Sequence, residues 1–542
     1  MRTQQKRCGN QTKTMFCFAI CLFIVTFVSH LTINQTTITE RMKLKLTIIS
    51  LIMHSVAVCA QQLTLANAIT IAQENSLDAQ IARYSFMGSY WQYRSFKAQM
   101  LPSLNLSGGL GGFNHSVIET RDYETGRVNQ VNNNTMTNSV TLSMDQEIVA
   151  TGGKVSLQSY LYRLDQFTYD EKTYKTQPLR ISYTQPLRSF NSLKWQKKTA
   201  PMEYQIAERT YLTALQDITI KATTLFFNVL AAQSDYKQSL ATVSDREKLY
   251  EMAQKRLALT TTTKSEVLQM ELSLLNARMA VTTNKIALDD AMYDFFSFLR
   301  VTDYSNAELV PPYNTPDIIV SADEVVQKAI NNSSHTLEQK LLMLQAERTV
   351  AQSKSQRGLQ MTLSSELGLS QTGNTFSSAY GRLKDNEIIG LTLSLPIFDW
   401  GVSKGKVKMA EAQLDVVRTK VEQSNLDYMQ GLRKKVMQFN AQPLQCRNAL
   451  RAQEIAVERY EIMRKRYESG SISVTDLNTA QQEMESAKAK YINQLLTFWN
   501  DYYSLQKSTL YDWQRKADLK DITPSVKMKN EEWLAPLRWS EK

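Results

Sequence analysis

GLTLSLPIFDWG, residues 390–401, decides the fold. Leu391, Leu393, Leu395 and Ile397 alternate with Thr392, Ser394 and Pro396, which is the period of a strand. From Gly401 onward the chain turns charged and helical. A strand with one apolar face, stopped by a proline, therefore feeds a long polar helix, and the same junction occurs twice. LRISYTQPLRSFNSLKW (179–195) resembles IGLTLSLPIFDWGVSKG (389–405), with Pro186 matching Pro396 at an offset of 210 residues. YEMAQKRLALTTTTKSEV (250–267) resembles YEIMRKRYESGSISVTDL (460–477) at that same offset. Equal spacing between two separate matches marks a tandem duplication.

Further upstream the offset changes. LANAITIAQENS (65–76) resembles SADEVVQKAINNS (321–333), and LNLSGGLG (104–111) pairs with MTLSSELG (361–368), both at 257 residues. The first half thus carries 47 extra residues between about Phe113 and Leu179. They include the alternating TNSVTLSMDQEIV (137–149) and the turn-like Thr151-Gly152-Gly153. Each half is predicted to run helix, strand, strand, long helix, break, helix. The first helices lie near 65–98 and 322–355, the long ones near 192–259 and 403–468. A helix of that length approaches about 100 Å, wider than a single-core domain, so the helices must pack side by side. Pro443 is expected to interrupt and bend the second one. The boundaries predicted are an N-terminal extension at 1–60, a first repeat at 61–310, a PPYNTP-containing linker at 311–321, a second repeat at 322–519 and a polar tail at 520–542.

Composition excludes several classes. The formal net charge is +11, but the first sixty residues hold seven Lys/Arg against one Glu, which leaves 56 against 51 afterwards. No concentrated basic patch for nucleic acid follows. Beyond residue 60 the only cysteine is Cys446 and the only histidines are His115 and His335. A Cys/His zinc site, a His-based triad or a disulfide framework has almost nothing to be built from. No catalytic, cofactor or metal residue is predicted. MKLKLTIISLIMHSVAVCAQQ (42–62) reads as an export signal cut after Ala60, with lipidation at Cys59 as the alternative. Upstream, MFCFAICLFIVTFVSHLTI (15–33) is long enough to be a membrane helix, unless translation starts at Met42.

The strands admit two readings. Val140, Leu142 and Met144, or Leu179, Ile181 and Tyr183, suit the inner face of a soluble sandwich. They equally suit a transmembrane barrel with apolar residues towards lipid, for which Phe190, Phe398 and Trp400 would form an aromatic girdle. Pro186 and Pro396 would mark the strand-to-helix transition. Four to six strands cannot close a wide barrel, so that reading requires an oligomer.

With the duplicated order, the LSLPIFDWG exit and YESGSISVTDLNTAQQEMESAKAKY (467–491), residues 63–510 resemble the TolC family of outer-membrane efflux channels. The resemblance implies an α+β membrane protein of long antiparallel coiled α-helices. They would form a periplasmic α-barrel, joined to a transmembrane β-barrel, each assembled from a homotrimer. It also implies a passive exit duct for an inner-membrane transporter joined by a periplasmic adaptor protein. The turns at 260–267 and 470–477 would be the closing tip. Gly470 keeps the family glycine, whereas its partner is Thr260. Glu266 would bond Tyr467. Asp476 would belong to a carboxylate ring that favours cations. The family's gate arginine falls at Ile472 and a second acid at Thr479, so an ionic link is lost and the ring weakened. A plainer reading is that Glu266 and Asp476 gain from the helix dipole, and that Lys255-Arg256 and Lys465-Arg466 are solvated helix faces or adaptor contacts. The rival function is the adaptor itself, which also carries long helical hairpins but would lack lipid-facing strands.

Overall fold

The computed structural model describes residues 62–522, apart from 303, 305 and 306. The expectations for residues 1–60, including Met42 and Cys59, and for residues 523–542 fall outside the described residues. The chain divides into two compact units, and everything below concerns the larger, residues 63–305 and 309–542.

Helices α1 (Leu65–Asn75) and α2 (Leu77–Gln99) open the first repeat. Strands β1 (Ser103–Arg121), β2 (Val128–Ile148), β3 (Gly153–Gln166) and β4 (Glu171–Arg188) follow. Helices α3 (Ser192–Ala258) and α4 (Lys264–Leu299) close it. The second repeat comprises α5 (Ala322–Asn332), α6 (His335–Arg357), β5 (Gln360–Gly373), β6 (Lys384–Ser394), α7 (Val402–Glu468) and α8 (Val474–Thr509). Both ends of α3 and α4 map onto those of α7 and α8 at the 210-residue offset.

Each expected first helix is broken in two, at Ser76 and at Ser333, which are equivalent at the 257-residue offset. Both serines are extended, with ψ of 151° and 159°. Ser76 spends its hydroxyl on the Ala79 N–H as a helix cap, the role that makes serine favour a break. Pro443, by contrast, does not interrupt α7, which continues through it as a buried residue. Pro201 is likewise carried inside α3.

The helical core keeps the duplication but exchanges volumes. Phe226 and Phe295 meet edge-on at 6.0 Å, where the second repeat has buried Val436 and Leu505. One turn along, Phe439 and Phe498 meet at 5.8 Å, where the first has buried Val229 and Leu288. Apolar character is preserved at each position, as close packing requires, while size is redistributed.

These six strands form one antiparallel sheet in chain order, β1-β2-β3-β4-β5-β6, beside two short two-stranded pairings elsewhere. The 47-residue excess is therefore the β2–β3 hairpin. Pro178 and Pro186 both lie where the β4–β5 ladder shifts register, the places that tolerate a missing N–H. Pro186 is inside β4, two residues before its end, and Pro396 follows β6 by two residues, so neither proline starts a helix. The helices begin six residues later and are capped by other side chains. Asn191 accepts from Lys194 N at 3.0 Å. Asp399 accepts from Gly401 N at 3.0 Å and Ser403 N at 2.8 Å.

Candidate functional site

The first functional surface is one face of the sheet. Because paired residues share a face, the registers assemble Leu104 and Leu106 of β1, Val140, Leu142 and Met144 of β2, and Leu157 and Leu161 of β3. Leu179 and Ile181 of β4, Leu363 and Leu367 of β5, and Leu391 of β6 continue the row. Much of this band is uncovered among the described residues: Leu106 is 73% exposed and Ile389 74%. So wide an apolar area in water would be costly, at about 25 cal/mol per Å². A soluble sandwich would need a second sheet on this face, and none is packed on it among the described residues.

The opposite face is polar and internally paired. Arg180 meets Glu366 at 2.6 Å, Lys154 meets Asp145 at 3.3 Å, and Asn386 donates to Glu366 at 3.3 Å. Away from the helices the apolar face gives way to Arg163, Asp165 and Lys172. The apolar stretch of each strand is thus about ten residues, the length a tilted strand needs to cross a bilayer. Among the described residues no helix is long and apolar enough to do so. Of the three aromatic residues expected to ring this band, Phe398 and Trp400 are exposed with rings 4.6 Å apart. Phe190 is half-buried, under the Arg348 guanidinium at 6.0 Å.

The second surface is the tip, where the α3–α4 turn meets the α7–α8 turn. Both turns need one left-handed residue: Thr260 at φ 56° and Gly470 at φ 78°. Thr263 and Ser473 cap the helices that follow, accepting from Glu266 N and Asp476 N at 3.2 Å each. Tyr467, 1% exposed, donates across the repeats to Glu266 Oε1 at 3.3 Å. Burial and the Glu266 charge push the Tyr467 phenol up to about 12. Glu266 also accepts from the Thr262 hydroxyl. Glu266 and Tyr467 thus meet across the repeats, with Gly470 three residues beyond Tyr467 in the turn.

Asp476 does not join them. Its Oδ2 accepts from its own cap, Ser473 Oγ at 2.7 Å and Ser473 N at 3.1 Å, a reciprocal capping box. These Ser473 bonds hold its carboxyl below the usual range, with a smaller contribution from Arg466.

Sequence reasoning missed two arginines. Arg256 is no solvated face: its Nη2 donates to the carbonyls of Tyr467 at 3.1 Å and Glu468 at 2.7 Å, and its guanidinium lies 5.5 Å over the Tyr467 ring. It closes the C-terminus of α7 from the other repeat. Arg246, 5% exposed, donates to Gln481 Oε1 while its Nη1 has no hydrogen-bond partner; burial lowers its pKa. The equivalent positions are Arg466 and Ala456, so the duplication gave no sign of which arginine crosses over.

A sheet with a lipid-suited face, joined to paired helices of about 100 Å, is an architecture suited to a membrane channel with a helical extension. Residues 325–509 match the family model described as outer membrane efflux protein. The chain also has the fold of solved outer-membrane channels. It aligns with CmeC of Campylobacter jejuni at TM-score 0.60 and 15% identity, over 86% of this chain and 90% of that one. VceC of Vibrio cholerae gives 0.56 and 15%, over 83% and 95%. The open state of MtrE of Neisseria gonorrhoeae gives 0.54 and 13%, over 83% and 90%. No curated protein matches in sequence. At such identities the likenesses speak for the fold, and the family match speaks for residues 325–509. Over residues 325–509 the chain matches the outer membrane efflux protein family, and over most of its length it has the fold of solved outer-membrane channels. The periplasmic adaptor reading is not supported.

Proposed function

We propose that three copies close one barrel and one tunnel, forming a passive exit duct loaded by an inner-membrane transporter through a periplasmic adaptor. The observation that carries this reading is the sheet: an uncovered apolar face, a polar face and two open edges. A single copy cannot satisfy those edges in a bilayer, where each unpaired backbone group costs several kcal/mol. No catalytic step is assigned, and transport draws its energy from the pump.

In this reading the tip is the gate. Glu266, Tyr467, Arg256 and Gly470 hold it shut. Asp476, repeated three times about one axis, lends it cation preference, because its outward carboxylate stays ionised. Phe398 and Trp400 anchor the barrel at the membrane boundary, with Phe190 set against α6. Lys255, Lys465 and Arg466 face outward for adaptor contact.

The test is the mass of detergent-extracted protein, corrected for bound detergent, followed by conductance in a planar bilayer. A three-copy particle with a low-conductance, cation-preferring state is expected. A water-soluble single copy would overturn the duct, and unchanged selectivity in Asp476→Ala would remove Asp476 from the gate.

A further inference from the structure

The 47-residue excess raises a question of pore size. In the second repeat one hairpin, β5–β6, joins two helix–strand junctions. In the first, two additional strands stand between β1, fed by α2, and β4, which feeds α3. We propose that the β2–β3 hairpin is barrel wall, so that three copies of six strands close an eighteen-stranded barrel instead of the twelve-stranded one that an uninterrupted duplication would give. The inference rests on the three-copy reading above.

Three observations carry it. The apolar face runs through the hairpin: Leu104, Met144, Leu157, Ile181 and Leu367 form one row across five strands, and beside it Leu106 pairs with Leu142 before the row meets Ser159. A hairpin folded over the sheet, or standing clear of the membrane, would have no reason to keep that face. Six strands also preserve polarity: β1 leads away from the helices and β6 returns to them. The open edge of β6 can therefore pair antiparallel with β1 of the next copy, and the ring closes with an even strand number.

The third observation is the turn. With two strands between them, β1 and β4 leave the sheet about 14 Å apart. Yet α2 and α3 below remain in contact, with Tyr93 stacked on Tyr204 at 5.1 Å. The hairpin's turn fills the space so opened, and it is seated from both sides. Gln146 Nε2 donates to Met100 O at 2.8 Å, at the end of α2. Asn191 Nδ2, from the cap of α3, donates to Val149 O at 3.0 Å. Gln185 of β4 donates to Thr151 O at 3.2 Å. Gly152 lies at φ 74°, and a Cβ there would stand 3.1 Å from Asn191 Cγ; at Gly153 a Cβ would collide with Gln185. The Thr-Gly-Gly motif is thus the fitting that lets two strands be added above an unaltered set of helices.

The consequence is a wider exit. At a spacing of about 4.8 Å and a tilt of about 40°, twelve strands enclose a backbone ring about 24 Å across and eighteen about 36 Å. Eighteen strands thus give a ring about half as wide again as twelve, which suits bulky or polymeric cargo.

The test is single-cysteine labelling of the assembled protein in outer membranes, in a background with the four cysteines before residue 61 replaced. Cys446 is buried, its thiol pushed up to about 11, and stays silent. Leu142→Cys and Leu157→Cys should react at least tenfold faster with a bilayer-partitioning maleimide than with a charged one, and Ser143→Cys and Gln158→Cys the reverse. Ile181→Cys and Ser182→Cys in β4 report that the barrel has formed. Top views of the particle should give a ring near the larger width. Alternation in β4 with uniform aqueous labelling of β2 and β3 would overturn the inference and leave the duct intact. A mass other than three copies would overturn the count of eighteen through the oligomer, with the labelling pattern unchanged.

Discussion

The two turns at the tip are built from one plan and do different work. Thr263 and Ser473 cap equivalent helices, and Glu266 and Asp476 stand at the same position in them. Asp476 folds back onto its own cap, while Glu266, one methylene longer, reaches past its cap to Tyr467 of the other repeat. Arg256 crosses between repeats, whereas its counterpart Arg466 acts on Asp476 only through its charge. Duplication supplied matching turns, and short changes in side-chain reach turned one of them into the tie.

That asymmetry can be broken in order of expected effect. Arg256→Ala removes two charge-assisted hydrogen bonds at a half-buried site and should cost about 2 kcal/mol, with a several-fold rise in bilayer conductance. Arg466→Ala should stay within about 0.5 kcal/mol. Equal losses in thermal unfolding would abolish the distinction. Next comes the backbone. Thr260 bears a branched side chain in the left-handed region, so Thr260→Gly should gain about 1 kcal/mol, and Gly470→Thr should lose about as much. Opposite shifts in melting temperature are the expected sign.

The cross-repeat hydroxyl is smaller still, with Tyr467→Phe costing about 1 kcal/mol. Its pH dependence is diagnostic. The folded phenol titrates above the ordinary tyrosine value, so its contribution is complete below about pH 10. It is lost as pH rises through about 12. Alkaline opening of the wild type over that window should be missing in Tyr467→Phe. The Asp476 cap works in the opposite direction. Its carboxyl is lowered, so its contribution is present above about pH 4 and disappears as pH falls through the depressed value. Asp476→Ala should flatten the acid limb of a stability profile.

Much of the architecture could be read from spacing alone, because helix ends recur at fixed offsets and strand period survives wherever one face meets lipid. What spacing could not reveal was where an alternating segment pairs. Thr137–Val149 declared itself a strand, yet only hydrogen bonding to neighbours on both sides makes it an interior one. The breaks at Ser76 and Ser333 were hidden because a single polar residue fits an amphipathic helix as well as a cap. Glu266 with Tyr467 came from family likeness. Arg256 came from neither source, since both repeats carry Lys-Arg there and only the packed tip distinguishes them.

The open edges of the sheet bear on how a copy reaches its assembly. Ser103–Gly112 of β1 and Ile388–Ser394 of β6 contain no charge and no proline. Those are the residues that ordinarily keep exposed strands from joining strangers. A newly exported copy therefore carries two adhesive margins until neighbours occupy them, and every minute spent alone favours aggregation over a ring. Slow delivery, not a weak final structure, is the hazard built into this chain: yield should depend on escorts in transit and fall when expression outruns insertion.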